Sequence, residues 1–433
     1  MNDILLIFPP LNSHLYVKAR QLYSEEEYKW ILRLTRVPQG LISIAKYLEQ
    51  NGYSVDILDC RFHLQDLELE IQRRVSNTSL CVGLGVLTTQ INDSIRISEY
   101  IKKLNSNLPI IWGGYHPTLY SNQTEEDKAI DYVISGEGEY ALLNLANAIK
   151  DKKDLSTVKS LYYRNNGNVC INELEKPFDI NELGLPAYDL LELDNYLTKR
   201  SYNPEEDIKG LEYNGSRGCS YNCAFCINYL LPQQHFWRAK KAEKVIEDIT
   251  ILKDKYKLKY IFFEEELPFV NFKRMKEIAE GLGKLDIRWY ANVRVDIAFK
   301  NLELLKIARK NGWCETSVGA ESGSDKVLKM LNKGITVEQT LKVAEVLNEL
   351  DVYSLYSFMI QLPNETMDDQ NATYRLMRKL QKIHPKSEFI GPQAFRLYPK
   401  TKFYEEAKAR GEIKEPETLR KWVNSDIVNR YCA

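Results

Sequence analysis

Three cysteines in the run Gly215-Ser216-Arg217-Gly218-Cys219-Ser220-Tyr221-Asn222-Cys223-Ala224-Phe225-Cys226, spaced CxxxCxxC, constrain this chain more than any other feature. Three thiolates on a short loop can hold three irons of a 4Fe-4S cluster, leaving the fourth iron without a protein ligand and open to a substrate. A zinc site wants four ligands, usually as two pairs. No second CxxC or HxxxH follows within finger distance, and the next thiol, Cys314, lies far downstream. Disulfides fit poorly as well. Eight cysteines in 433 residues is modest usage, no signal-peptide pattern precedes them, and the first apolar stretch is broken by Pro9 and Pro10. The expectation is a reducing, cytoplasmic setting. Cys60, Cys81, Cys170 and Cys314 stand singly in apolar contexts and read as small buried hydrophobes, and Cys432 as part of a frayed tail.

At 433 residues the chain exceeds what one core supports, so two or more domains are expected. Lysine plus arginine (59) balances aspartate plus glutamate (60), which leaves no global field for nucleic acid or an anionic membrane surface. No apolar run approaches the ~18 residues of a membrane span.

Residues 1–150 alternate short apolar runs with amphipathic stretches at the spacing of βαβ units. Strands are expected at 3–8, 54–58, 80–86, 109–112 and 132–134, mostly apolar throughout as buried parallel strands are. Helices are expected at 40–51 and 92–104. The sum is a doubly wound, Rossmann-like α/β domain, whose ligands bind outside the carboxyl ends of the strands. Those ends carry Pro9-Pro10, Asp59, Thr88-Thr89-Gln90, Gly113-Gly114-Tyr115-His116 and Gly136-Glu137-Gly138-Glu139. Each alone is ordinary turn chemistry; at successive strand ends together they describe a ligand site. No GxGxxG follows the first strand, which speaks against a dinucleotide. Residues 11–37 form an insertion in which Ser24 and Glu27 make a capping box, so a short helix is expected there, over the ligand or over a sheet edge.

The run of Pro9-Pro10, Pro38 with Gly40-Leu41, Gly113-Gly114-x-His116-Pro117-Thr118 and Gly136-Glu137-Gly138-Glu139 resembles the cobalamin-binding domain of cobalamin-dependent radical SAM enzymes. The resemblance implies cobalamin contacts at Pro10, Gly113, Gly114, His116, Gly136 and Glu137, with Thr88, Thr89 and Gln90 on the lower face. The DxHxxG motif that supplies a lower axial histidine in many cobalamin proteins is missing. Cobalamin is therefore expected without histidine on cobalt, and His116 as a loop hydrogen-bonder.

Residues 151–208 read as a hairpin around Asn165-Asn166-Gly167 followed by a linker punctuated by Pro177, Pro186 and Pro204. From 209 to 405, strands at 211–215, 260–264, 289–293, 315–319, 353–361 and 391–398 alternate with helices, as in a (β/α)6 partial TIM barrel, followed by a tail at 406–433. Here the chain resembles radical S-adenosylmethionine (SAM) enzymes closely. CxxxCxxC with Phe225 before the last cysteine matches their signature, with Cys219, Cys223 and Cys226 as iron ligands. Strand ends match in order: Glu264-Glu265-Glu266 the acidic motif for the methionyl amine (Glu265 first, then Glu264), Ala291-Asn292-Val293-Arg294-Val295-Asp296 the AN-x-R-x-D, and Gly319-Ala320-Glu321-Ser322-Gly323 the GxESG beside the ribose. Gln361-Leu362-Pro363-Asn364-Glu365-Thr366 resembles GLPGET and Tyr398-Pro399-Lys400-Thr401 resembles YPGT, with Gln361, Asn364 and Lys400 where the family commonly has glycine. A zwitterionic ligand needs a carboxylate for its amine, a cation or amide for its carboxylate and an acceptor for its ribose, and Glu264 or Glu265, Arg294, Glu321 and Ser322 supply these.

The resemblance implies reductive cleavage of SAM to methionine and a 5'-deoxyadenosyl radical, with cobalamin carrying a methyl group to the substrate carbon at the face between the domains. The function expected is methylation of an unactivated carbon of a small-molecule or natural-product substrate, with radical cyclisation or ring rearrangement as the alternative. A cobalamin or redox sensor would need no SAM contacts. An external flavodoxin- or ferredoxin-type electron donor, anaerobic conditions and a monomer, with neither nucleic acid nor membrane as partner, complete the expectation. No catalytic side chain is assigned.

Overall fold

Ile4 to Ile7 bury both faces of β1 (Asn2–Phe8), as a central strand requires, and β1 lies between β2 (Val55–Asp59) and β3 (Thr78–Gly85), parallel to both. The structure, a computed structural model, describes residues 1–10, 36–197, 209–423 and 425–428. The helix expected around Ser24 and Glu27, Pro204 and Cys432 lie outside the described residues. Two compact units form. The first comprises Met1–Tyr196, Leu230–Gln233 and Glu406–Ala433, the second Leu197–Tyr229 and Gln234–Glu405.

In the first unit, β4 (Ile110–Gly113), β5 (Tyr132–Ile134), β6 (Leu161–Asn165) and β7 (Asn168–Ile171) extend the sheet to seven strands, in the order β2-β1-β3-β4-β5-β6-β7. Strands β1 to β5 are parallel, and the chain reverses direction across the sheet between β1 and β3, the point at which flavodoxin-like sheets bind ligands. The hairpin expected in the linker is instead the sheet's antiparallel edge. Leu161 and Tyr163 bury their side chains as they pair with Ile134 and Tyr132, and that burial fixes the hairpin to the sheet. Helix Gln39–Gln50 buries Leu41, Ile42, Ala45 and Leu48 at helical spacing. The C-terminal residues pack onto this unit as well. Arg420 donates to both Asp127 oxygens (2.6 and 3.0 Å), and Trp422 donates through Nε1 to Gln123 Oε1 (2.9 Å).

The second unit holds β8 (Gly210–Tyr213), a two-stranded ladder of β9 (Ser216–Arg217) and β10 (Arg238–Ala239), then β11 (Tyr260–Phe263), β12 (Arg288–Ala291), β13 (Trp313–Glu321), β14 (Tyr353–Ile360) and β15 (Ser387–Ala394). Six strands form one parallel sheet in sequence order, β8-β11-β12-β13-β14-β15. Crossovers that all step the same way put every helix on one side and curl the sheet into a (β/α)6 partial barrel. Asn271, Ser324, Thr336 and Thr366 each cap a following helix by accepting a backbone N–H, worth about 1 kcal/mol apiece. The last strand begins four residues earlier than expected. It is an edge strand, so Pro392, which has no N–H to donate, fits inside it, and the chain beyond Ala394 turns into loop. No helix among the described residues is long and apolar enough to cross a membrane.

Candidate functional site

The cysteine loop leaves the carboxyl end of β8 and is pinned at both ends by the β9–β10 ladder, Ser216 to Ala239 and Arg217 to Arg238. Gly218 opens it at φ +84°, and a Cβ there would stand 2.2 Å from the Phe236 carbonyl oxygen, so glycine alone makes this turn. Backbone hydrogen bonds hold the rest. Cys219 N–H donates to Gln234 O (2.9 Å), Ala224 N–H to Leu331 O (2.9 Å) and Cys226 N–H to Cys223 O (3.0 Å). All three thiols are free, Cys223 buried and the others half-buried. Burial pushes the Cys219 thiol up and the Cys226 thiol to about 11, and each also feels Cys223, so the three sulfurs share one neighbourhood. Among the described residues no three His, Cys, Asp or Glu side chains converge on one metal ion. Three free thiols without a fourth donor are the donor set of a 4Fe-4S cluster in which three irons take one thiolate each and the fourth takes none.

Two cations serve this loop. Arg294, just past β12, donates through Nη1 to Cys223 Sγ at 3.4 Å, pairs through Nε with Asp296 at 2.7 Å, donates through Nη2 to Lys333 O, and lies 3.6 Å over the Tyr221 ring. Expected as a SAM contact, it is occupied with the cluster loop. Lys333, which lies outside the sequence motifs, pairs with Glu321 at 2.5 Å, with Nζ 5.6 Å from the Phe225 ring centroid. Its charge also lowers the Cys226 thiol pKa, against the larger effect of burial. Phe225, Cys226 and Glu321 are thus brought together. Ser322 is fully buried and its hydroxyl faces Thr373 Oγ1 at 3.2 Å.

The acidic run divides its labour. Glu265 is buried and accepts hydrogen bonds from Gly215 N–H (2.8 Å) and the Ser216 hydroxyl, with Arg274 3.8 Å away. Arg274 in turn donates to Gly215 O and Lys240 O, both at 2.8 Å. Glu265, the first choice for an incoming amine, is therefore spent on anchoring the cysteine loop. Glu264 is half-buried, whereas Glu266 is exposed. The protein crowded around Glu266 raises its carboxyl, its own backbone N–H opposes this and the Glu265 charge adds to it, although the side chain itself reaches solvent, and it acts electrostatically on Cys219. Glu321, Gln361, Asn364 and Lys400 all stand in the left-handed region (φ +63, +62, +61 and +65°) at or beyond the carboxyl ends of β13, β14 and β15. An L-residue there costs roughly 1–2 kcal/mol, least for asparagine, and the three positions that differ from family glycines have kept the glycine backbone under a side chain.

In the first unit the carboxyl ends of β3 and β4 meet at Gly114. Its φ is +97°, and a Cβ would lie 2.9 Å from Val86 N and 3.1 Å from Val86 O. Thr118 joins this turn to the next, its hydroxyl donating to Gly114 O (2.7 Å) and accepting from Gly136 N–H (2.9 Å). His116 is buried against Tyr120 and Trp422, its Nδ1 3.3 Å from Thr88 Oγ1 and its Nε2 without a partner among the described residues. Burial lowers its pKa to about 3, which keeps the ring neutral. Three expected contacts are committed elsewhere. Gln90 is buried, donating to Pro9 O (2.5 Å) and accepting from Leu87 N–H (2.8 Å), so it ties β1 to β3 instead of facing a ligand. Gly136 is filled by Gln233, since a Cβ would lie 2.0 Å from its Oε1. Glu137 accepts from Phe178 N–H at 2.8 Å. Pro10 is buried, while Thr88, Thr89 and Gly113 are half-buried. A backbone cradle at Gly113-Gly114 with the Thr88 hydroxyl beside it and an orphaned polar atom behind it suits a large planar cofactor; the buried His116 suits no axial ligation. Gly114→Ala should weaken hydroxocobalamin binding at least tenfold in an absorbance titration while iron content stays at the wild-type level. An unchanged Kd would remove this turn from the site.

The family model for the B12 binding domain matches residues 34–146, and that for the Radical SAM superfamily matches residues 213–377. An uncharacterized methyltransferase of Pyrococcus horikoshii is 30% identical over 417 residues, 94% of this chain and 83% of the relative. The anaerobic magnesium-protoporphyrin IX monomethyl ester cyclase of Rubrivivax gelatinosus is 28% identical over 354 residues, 79% of this chain and 62% of the cyclase. Among solved structures, the cobalamin-dependent SAM radical enzyme OxsB matches 95% of this chain and 61% of its own, with TM-score 0.76 and 18% identity. The methyltransferase TsrM from Kitasatospora setae matches 96% and 76%, with TM-score 0.72 and 16% identity. The chain thus spans about three fifths of the cyclase and of OxsB. With a free CxxxCxxC loop at the top of a partial barrel, a sheet that presents glycines at the carboxyl ends of its strands, and a 30% identical relative matched over 94% of this chain, the chain belongs to the cobalamin-dependent radical SAM enzyme family.

Proposed function

We propose that the protein methylates an unactivated carbon of a small-molecule substrate, using a 4Fe-4S cluster, SAM and cobalamin. The observation that carries this reading is a B12 binding domain and a CxxxCxxC barrel in one chain whose 30% identical relative is named an uncharacterized methyltransferase. When bound, these cofactors supply radical chemistry and a transferable methyl group, and the protein supplies binding, orientation and electrostatics. Cys219, Cys223 and Cys226 hold the irons. Glu266, an exposed carboxylate beside Cys219, receives the SAM ammonium, which would return its raised carboxyl to the charged form. Glu321, held by Lys333 in a left-handed turn, faces the ribose, and Thr88, Thr89, Gly113 and Gly114 line the cobalamin. Electrons come from an external donor, and the protein acts as a monomer with neither nucleic acid nor membrane as partner.

Ring closure is the second reading, favoured by the 28% identity to the cyclase. Anaerobic reconstitution with iron, sulfide and hydroxocobalamin, followed by SAM and reductant, separates the two. Methyl transfer from SAM leaves S-adenosylhomocysteine, whereas radical cyclisation yields 5'-deoxyadenosine without it. Both products are expected. Absence of cobalamin bands would sink the methylase reading, and absence of 5'-deoxyadenosine the radical one.

A further inference from the structure

We propose that Arg294 raises the reduction potential of the cluster by donating a hydrogen bond to one of its thiolate ligands. The inference rests on a 4Fe-4S cluster held by Cys219, Cys223 and Cys226. A guanidinium is a planar fork of five donors that stays charged at any working pH. Here three sides of the fork are fixed. Nε stands 2.7 Å from Asp296 Oδ1 as a charge pair out of hydrogen-bond alignment, Nη2 donates to Lys333 O, and Cζ lies 3.6 Å from the Tyr221 ring centroid. Tyr221 closes the clamp by donating its hydroxyl to Asp296 Oδ2 at 2.8 Å. With the plane fixed, Nη1 reaches Cys223 Sγ at 3.4 Å.

The reduced cluster carries one more negative charge than the oxidised one. A cation that also draws density from a ligand sulfur stabilises the reduced state more, so the potential rises. Asp296 opposes this by offsetting the guanidinium charge. The other nearby cation, Lys333, is drawn to Glu321 at 2.5 Å, which leaves Arg294 as the cation shown in contact with a ligand sulfur; the other donors to these sulfurs are the uncharged backbone N–H groups of Tyr221, to Cys219, and Asn228, to Cys226. Two substitutions should therefore move the potential in opposite directions. Arg294→Gln removes the charge and lowers it; Asp296→Asn unmasks the charge and raises it. An arginine that only tied the 331–334 turn to the cysteine loop would alter cluster occupancy and leave the potential of the occupied fraction where it was.

The test is an EPR-monitored redox titration of the full chain, reconstituted anaerobically, with iron content measured alongside. At the wild-type midpoint, Arg294→Gln should show a tenfold lower ratio of reduced to oxidised cluster, 59 mV for a one-electron couple. Asp296→Asn should shift the ratio the other way. Cluster-loaded variants that both keep the wild-type potential overturn the proposal. Where Arg294→Gln fails to take up iron, Asp296→Asn, which retains the contact with sulfur, decides alone, and a potential at or below the wild type overturns it. Wild-type protein that forms no cluster overturns the underlying reading instead.

Discussion

Cys223→Ala protein, reconstituted anaerobically with iron and sulfide, should hold only background iron and form no 5'-deoxyadenosine from SAM. Cys223 is the middle and most buried of the three thiols and the one under Arg294. Its removal leaves two thiolates, and nothing else in the loop can replace the third. The loop itself should persist, because its ties are main-chain: the β9–β10 ladder, Cys219 N–H to Gln234 O and Ala224 N–H to Leu331 O do not involve the Cys223 side chain. Circular dichroism and hydroxocobalamin binding should therefore match the wild type. Iron retained at the wild-type level would contradict the ligand assignment. Gly218→Ala should reach the same iron-free state through the backbone, since a methyl group 2.2 Å from the Phe236 carbonyl oxygen at φ +84° cannot be housed without moving the turn. The pair separates loss of a ligand from loss of the loop that presents it.

What the sequence made legible follows from range. Ile4 to Phe8 of β1 and Tyr260 to Phe263 of β11 are apolar on both faces, and that local pattern fits a buried parallel strand. The cysteine spacing is local too. The direction of a single side chain past a strand end is not. Three consecutive glutamates follow β11, and which of them turns inward depends on Gly215, Ser216 and Arg274, the first two about fifty residues away in the chain. Gln90 likewise looks like one more polar residue in a ligand loop until Pro9 O, at the end of another strand, claims its amide. Lys333 reaches Glu321 because helix Asp325–Met330 folds the chain back between them. The hairpin at β6 and β7 was legible as a hairpin, whereas its pairing with β5 rests on burying Leu161 and Tyr163, a long-range event. Gln361 and Lys400 are the converse case. Their departure from glycine was visible in the sequence, but only the backbone shows that the left-handed turn persists beneath them.

Glu265→Ala should unfold the second unit early, whereas Glu266→Ala should leave stability alone and weaken SAM binding. Truncating Glu265 strands Gly215 N–H, the Ser216 hydroxyl and the nearby Arg274 guanidinium in a buried site. Breaking a buried charge network by removing one partner costs about 3–5 kcal/mol, and in a unit of this size each kcal/mol lowers Tm by roughly 2–4 °C, so a fall on the order of 10 °C is expected. Glu265→Gln keeps an acceptor for Gly215 N–H and should fall by less. Glu266 is exposed, and its replacement should change stability by no more than about 0.5 kcal/mol. A hydrogen bond from an ammonium to a carboxylate is worth about 1.5–3 kcal/mol, so SAM affinity should drop roughly ten- to a hundredfold. Thermal unfolding of all three variants and equilibrium dialysis of SAM against each in its cluster-loaded form give the values needed. Glu265→Gln with a wild-type Tm and lost SAM affinity, beside Glu266→Ala that binds SAM normally, would reverse the assignment and make Glu265 the amine acceptor. The predicted pattern would separate two roles within one acidic run, Glu265 holding the iron-binding loop in place and Glu266 holding the molecule that the iron activates.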